Sequence, residues 1–231
     1  MKIGIIGAGQ IGSTLVRRFV ACGHEVKVAN SRGPQTLTEL ARETGAKPVT
    51  VAEAVSDVNL IVVTIPEKNI PTLGHKLFEH VPADVVVIDT GNYYPRERDG
   101  RIAAIEAGKV ESVWVSEEID RPVIKVFNNI YAKHLLEDGT PKGTANRIAL
   151  PVAGNDVSAK KTVMGLVDEI GFDPVDAGSL AESWRQQPGT PVYCADLDAA
   201  GVTRALAAAS RERTAQWTAT ENSPGSFETP A

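Results

Sequence analysis

Apolar residues come along this chain in two rhythms. Short, nearly unbroken runs cover Lys2–Ile6, Asn59–Ile65, Asp84–Asp89, Pro122–Phe127 and Ile148–Ala153. They have the length and density of strands buried on both faces. Glu25–Ala29 alternates polar and apolar positions and predicts one more strand, Ala46–Val49 a short or edge strand, and Phe172–Val175 a last short one. Between them lie stretches with helical spacing. Ser13–Cys22 sets Leu15, Val16, Phe19 and Val20 on one side, and Ser158–Ile170 does the same with Val163, Met164, Leu166, Val167 and Ile170. Helices are also predicted over Gln35–Thr44, from a Thr50 cap to Val55, over Asn69–His80 with Pro71 in the first turn, and over Arg101–Gly108. Leu180–Gln187 reads as partly helical and Asp198–Ala215 as an alanine-rich helix, whereas Tyr93–Gly100 and Pro188–Pro191 read as loops, the former exposed. Strands alternating with helices predict an α/β fold, a doubly wound and mostly parallel sheet covered by helices.

The connection after the first strand carries chemistry. Gly7-Ala8-Gly9-Gln10-Ile11-Gly12 joins a strand directly to a helix, the context in which a spaced glycine triplet binds a dinucleotide. Gly7 serves the tight turn, Gly9 lets the backbone approach a pyrophosphate, and Gly12 lets helix and strand pack closely. The helix start adds free N–H groups and a partial positive charge. The fold is therefore expected to be Rossmann-type. The second strand ends in Ala29-Asn30-Ser31-Arg32, with no acid to bond a ribose 2′-hydroxyl. A guanidinium and a hydroxyl at that place suit a 2′-phosphate, so the expected cofactor is NADP(H). In such a sheet ligands lie beyond the carboxyl ends of the strands. Thr64-Ile65-Pro66 and the loop through Asn92 are then expected to bracket the ribose and nicotinamide.

Composition narrows the partners. The 231 residues are 42% hydrophobic and 23% charged, with a net charge of −5, so no broad basic surface invites nucleic acid or an anionic membrane. No apolar run approaches the ~20 residues of a membrane-spanning helix, and the first strand begins where a signal peptide would stand. Cys22 and Cys194 are far apart and form no C-x-x-C pair, which fits a reducing, cytoplasmic setting. His24, His75, His80 and His134 show no metal-ligand spacing, and no metal site is expected.

With these residues in view, the chain resembles the coenzyme F420-dependent NADP oxidoreductases. The likeness rests on the glycine segment, on Asn30-Ser31-Arg32, and on Lys125-Val126-Phe127-Asn128-Asn129-Ile130. Pro151-Val152-Ala153-Gly154-Asn155-Asp156 and Asp176-Ala177-Gly178-Ser179-Leu180 extend it. It implies a Rossmann domain over 1–155, a small C-terminal helical and loop domain over 156–217 that closes the cleft, and a homodimer. Residues 218–231 read as a disordered polar tail. It further implies hydride exchange between NADPH and a deazaflavin, coenzyme F420. Family members that use F420 typically carry His-Thr-Ile-Pro where this chain has Asn128-Asn129-Ile130-Tyr131. That segment is closer to the cytosolic domain of eukaryotic metalloreductases, whose acceptor is a flavin (FMN or FAD). The expected roles are Ile130 pressing on the nicotinamide, Asn128 bonding its carboxamide or the acceptor, Asn129 beside them, and Gly154 allowing close backbone approach. The Trp184–Tyr193 segment is expected to wall the acceptor pocket or to pack the domains together, with Arg185 facing an anion. The competing class is a non-catalytic NADP(H)-binding module that senses redox state. A reductase of another small acceptor, such as a carbonyl compound, is the third.

Overall fold

The structure is a computed structural model that describes residues 1–212 and 225–230. β1 (Lys2–Ile6) leads into α1 (Gln10–Ala21) and β2 (Glu25–Ala29). A 3₁₀ turn and α2 (Thr38–Thr44) precede β3 (Lys47–Pro48), and α3 (Val51–Ala54) precedes β4 (Leu60–Val63). α4 (Ile70–Phe78), β5 (Val86–Asp89), α5 (Ala103–Glu106), α6 (Glu111–Glu118) and β6 (Ile124–Lys125) complete the sheet. Its six strands run in the order β3-β2-β1-β4-β5-β6, all parallel. This is the doubly wound Rossmann arrangement.

The strand pattern follows from burial. β4 is buried at every position, so its four residues are all apolar, and each such side chain contributes about 1.5–3 kcal/mol. β2 exposes Glu25 and half-exposes Lys27, hence its alternation. Successive side chains feed opposite faces. Ile3, Ile5, Leu60 and Val62 join Leu15, Val16 and Phe19 of α1 in one core. Ile6, Ile61 and Val63 join Tyr93, Ile105, Trp114 and Val115 in the other.

α7 (Ala132–Glu137) leads to β7 (Ala149–Val152), α8 (Val157–Glu169), β8 (Asp173–Asp176) and α9 (Ala199–Ala207). β7 and β8 pair in parallel as a separate small sheet. Lys125 and Ala153 join it to β6 through two backbone hydrogen bonds of 2.8 and 3.0 Å. β7 pairs with β8 rather than within the large sheet, and Leu150, Val152, Val163 and Phe172 share one core with Ile3 and Leu15.

Several expectations need correction. Residues 93–100 are no exposed loop. Tyr93 is fully buried, its hydroxyl donating to the Gly100 carbonyl at 2.9 Å, and the buried Asp99 accepts from Tyr94 N at 2.8 Å. The polar residues there bond one another, which lets the segment pack inward as one wide helical turn. The helix expected over 69–80 is kinked at Gly74, where φ is +61°. α6 lacks clear amphipathic spacing, and α7 is only six residues long, so neither is evident from periodicity. The alanine-rich helix stops at Ala207 instead of continuing toward 215, and residues 213–215 lie outside the described residues. Of the tail expected to be disordered, 218–224 and 231 also lie outside them. Residues 225–230 pack on the turn after Tyr94. Arg96 Nε donates to the Gly225 carbonyl at 2.8 Å, and the Arg101 guanidinium stands 4.3 Å from the Phe227 ring centre.

Candidate active site

Strand register builds the floor of the site. Ala29, Ile6, Val63, Asp89 and Lys125 stand in one row across β2, β1, β4, β5 and β6. The residues after them, Asn30, Gly7, Thr64, Thr90 and Val126, therefore emerge along one edge. That is the carboxyl edge, and the strand order reverses there beside β1.

The glycines divide their work as the sequence spacing predicts. Gly7 turns with φ +109°, and a Cβ on it would collide with the Thr64 carbonyl. A Cβ on Gly12 would collide with the Gly7 carbonyl oxygen. Among the described residues, and apart from its own and adjoining backbone, Gly9 has no heavy atom within 4 Å of where its Cβ would stand. Two of the three glycines are thus dictated by protein packing, and the third faces open space at the N-terminus of α1. That space is a cradle suited to a pyrophosphate.

At the end of β2, Asn30 accepts from Arg32 N at 3.0 Å and donates to Thr36 Oγ1 at 2.9 Å. This Asx turn fixes the backbone and leaves the Ser31 and Arg32 side chains exposed, the guanidinium without a partner among the described residues. Gly7, Ala8, Gly9, Asn30, Ser31 and Arg32, with Thr64-Ile65-Pro66, line a cavity of about 820 Å³ whose far wall holds Val51, Leu73 and Leu77. A second cavity of about 440 Å³ shares Gly9, Thr64, Ile65 and Pro66 with it. From there it passes Gln10, Ile11, Asn92, Asn128 and Ile130 and ends at Tyr94, Arg98, Tyr131, Tyr193 and Cys194.

Two expected site residues, Asn129 and Gly154, line neither cavity, and a third, Asn128, lines the second with its side chain already committed. Asn128 borders the second cavity, but its amide is engaged. Nδ2 donates to Asn92 Oδ1 at 3.0 Å and to the Gln186 carbonyl at 2.7 Å, while Oδ1 accepts from Gln186 Nε2 at 2.9 Å. With both amide hydrogens used, Asn128 holds Asn92 and the C-terminal segment in place and has no donor left for a carboxamide. Asn129 is buried and lines neither cavity. Its carbonyl accepts from Cys194 N at 2.9 Å. Gly154 stands away from the cleft. A Cβ there would collide with Ile124 Cδ1, so the close approach it permits is to β6. Trp184 also lies apart, its ring covered by Arg185 and Arg211 at 4.5 and 4.8 Å, and Arg185 pairs with Glu182 at 2.6 Å.

At the far end of the second cavity Tyr193, from the segment expected to wall an acceptor pocket, joins Tyr94 and Arg98, both missed from sequence. Tyr94 and Tyr193 meet hydroxyl to hydroxyl, and Arg98 lies over the Tyr94 ring at 5.1 Å. Burial pushes both phenols above the ordinary tyrosine range, so both are protonated at neutral pH. Phe127 holds φ +65°, a left-handed conformation costing about 1–3 kcal/mol in a residue with a side chain, while fully buried beside the cavity. Nothing in the immediate sequence marks Tyr94 or Arg98, because the tyrosine contact joins segments 99 positions apart.

Beneath the β4 and β5 ends lies a buried ionic cluster. Lys125 Nζ donates to Asp89 Oδ2 at 2.9 Å and to the Gly91 carbonyl at 2.6 Å. Burial would lower the Lys125 pKa, but the surrounding carboxyl groups outweigh it and the ammonium is held. Glu67 is wholly buried, and neither carboxyl oxygen has a hydrogen-bond partner among the described residues. Burial, aided by nearby Asp89, raises its pKa well above the usual carboxylate range and so favours its protonated form. Among the described residues no helix is long and apolar enough to cross a membrane, and no three His, Cys, Asp or Glu residues cluster as a metal site would need.

Known proteins share this architecture. Residues 2–93 match the family described as NADP oxidoreductase, coenzyme F420-dependent. The hypothetical protein SMa0349 of Sinorhizobium meliloti is 30% identical, over 85% of this chain and 95% of its own, with a TM-score of 0.72. Protein YjhV of Escherichia coli K12 is 51% identical over 71 residues, 31% of this chain and 52% of YjhV. Rat metalloreductase STEAP3 is 30% identical over 79% of this chain and 35% of its own length. The chain thus spans about half of YjhV and about a third of the metalloreductase. The glycine cradle and the first strands of the sheet lie in a segment, residues 2–93, that matches the coenzyme F420-dependent NADP oxidoreductase family.

Proposed function

We propose that the protein is an NADP(H)-dependent oxidoreductase that exchanges a hydride between NADPH and a deazaflavin or flavin-type ring. The observation that carries this is that the two cavities adjoin, sharing Gly9 and Thr64-Ile65-Pro66 in their linings. Such a pair suits a dinucleotide laid across the glycine loop, with its adenosine end toward Arg32 and its nicotinamide toward Ile130. When bound, NADPH supplies the hydride. The chain's own residues bind and orient. The start of α1 and the open face of Gly9 receive the pyrophosphate, and Ser31 and Arg32 take the 2′-phosphate. Ile65, Pro66 and Ile130 exclude water from the nicotinamide side, and Asn92 is held for polar contact by Asn128. Hydride transfer needs the two rings to approach within about 3–3.5 Å, and an apolar wall favours that geometry.

The family description favours coenzyme F420, and the Asn128-Asn129 segment together with the metalloreductase likeness favours a flavin. Mixing the protein and NADPH with oxidised F420, and separately with FMN, while following loss of reduced nicotinamide absorbance decides between them. Turnover with neither, in a protein that binds NADPH tightly, would overturn hydride transfer to a ring acceptor and favour a nucleotide-sensing module.

A further inference from the structure

The far wall of the second cavity does more than enclose it. Tyr94 and Tyr193 come from distant segments, line the same cavity, and bond through their hydroxyls. Two phenols carry two hydroxyl hydrogens. The contact between them uses one; the Tyr193 hydroxyl also bonds Cys194, and with Tyr193 as the donor the Tyr94 hydrogen is left for a group in the cavity. The charged and titratable groups that face the pair are Arg98, over the Tyr94 ring, then Cys194, and Glu111 more weakly. Burial keeps the Cys194 thiol neutral as well. Arg98 is fixed in turn. It donates to the Asn92 carbonyl and pairs with Asp99 at 2.9 Å. Its positive charge would favour a phenolate formed transiently at Tyr94. The arrangement is a proton donor with a second phenol and a cation behind it, at the end of the cavity opposite the glycine loop.

Resting on the proposed hydride transfer, we propose that the Tyr94–Tyr193 pair is the general acid of the reaction. A hydride arriving on a conjugated acceptor forms one new C–H or N–H bond and displaces a π-electron pair onto an oxygen or nitrogen of that acceptor. The pair gives its free hydroxyl proton to that atom, and the resulting phenolate takes a proton from water. NADPH leaves as NADP⁺, and the acceptor has gained one hydride and one proton. The same donor serves a flavin, a deazaflavin or a carbonyl compound, since each gathers charge on a heteroatom during reduction. The arms of the test separate these sources.

The experiment compares wild type with Tyr94→Phe, Tyr193→Phe and the double variant, all as the full chain. NADPH affinity, read by fluorescence titration, is expected to be unchanged and shows that each variant is folded. Two further readouts follow. The first is the affinity of oxidised FMN and of oxidised F420 in the presence of NADP⁺. The double variant should bind the acceptor about 3- to 10-fold more weakly, the share of one neutral hydrogen bond. The second is the pH profile of kcat with FMN, F420 and a simple aldehyde as separate acceptors. Wild type should be flat through neutral pH. The double variant should be about 10²-fold slower and should speed up as pH falls, because the medium must then supply the proton. Each single variant should lose less, since the remaining phenol can still donate. Equal acceptor affinity and parallel pH profiles in all four proteins would overturn the assignment while leaving hydride transfer standing. Tight NADPH binding with no acceptor bound or reduced by wild type would overturn both.

Discussion

Lys125 Nζ sits 2.9 Å from Asp89 Oδ2, and both side chains are closed off from solvent. Both residues end strands of the large sheet, in register with each other, one position before loops that line the proposed nicotinamide site. A cation locked at this place fixes the Thr90–Asn92 loop from below, through its second bond to the Gly91 carbonyl. Removing one partner of a buried pair leaves an uncompensated charge. Lys125→Met is therefore expected to cost about 3–5 kcal/mol in urea unfolding. Lys125→Met combined with Asp89→Asn should recover part of that loss, because the orphaned carboxylate is gone. A single-variant loss below about 1 kcal/mol would show that the pair does not hold the loop.

Glu67 tests the same cluster through pH. Its folded-state pKa lies above the unfolded value because burial penalises the charge. The native state keeps the proton while the unfolded chain releases it above about pH 4.5, so the native state loses ground as pH rises toward the folded pKa. Glu67→Gln cannot ionise. It should match wild type in acid and gain on it by about 1.4 kcal/mol per pH unit above that point. Urea unfolding at several pH values reads the difference, and a constant offset would mean that Glu67 is ionised in the native protein.

The nucleotide half of the site is legible in the sequence because its chemistry is backbone chemistry. Gly7, Gly9 and Gly12 are local in the chain, and their spacing alone states which must turn, which must pack and which must stay open. The far end of the second cavity is only partly legible: the segment ending in Tyr193 is expected to wall a pocket, but Tyr94 and Arg98 meet it only once the fold has closed. The Tyr93–Gly100 stretch is rich in charge and reads as solvated, yet Asp99 and Tyr93 satisfy its backbone internally and carry it inward. Asn128 shows the opposite limit. Its position beside the cavity is predicted, but its role is decided by Gln186, 58 residues away, which takes up its amide.

Arg32 carries the choice between cofactors. The Asx turn at Asn30 fixes the backbone under it, and no protein group competes for its guanidinium among the described residues. Arg32→Ala is expected to weaken NADPH binding by about 1.5–3 kcal/mol, the scale of a hydrogen bond to a charged group, and to leave NADH binding nearly unchanged. Calorimetric titration with both nucleotides checks this. An equal loss for the two would place Arg32 away from the 2′-phosphate.

Gly9 and Gly12 lie three residues apart, and substitution should separate their roles cleanly. Gly12→Ala drives a methyl group into the Gly7 carbonyl, which is backbone and cannot swing aside. Overpacking of that kind costs about 1–3 kcal/mol, and the shifted turn should bind NADPH poorly as a secondary effect. Gly9→Ala meets no atom of the described residues beyond its adjoining backbone, and φ −72° with ψ −165° is ordinary for alanine. Its stability should change by no more than about 1 kcal/mol, the scale of a weaker helix N-cap. The methyl would nevertheless stand where the pyrophosphate must come, so NADPH affinity should fall at least tenfold, about 1.4 kcal/mol. Urea unfolding and nucleotide titration on the same two variants therefore give opposite patterns, with Gly12→Ala losing stability first and Gly9→Ala losing the ligand alone. A Gly9→Ala protein that keeps its NADPH affinity would show that the pyrophosphate does not lie over Gly9, and the orientation of the nucleotide along the two cavities would have to be reversed or abandoned.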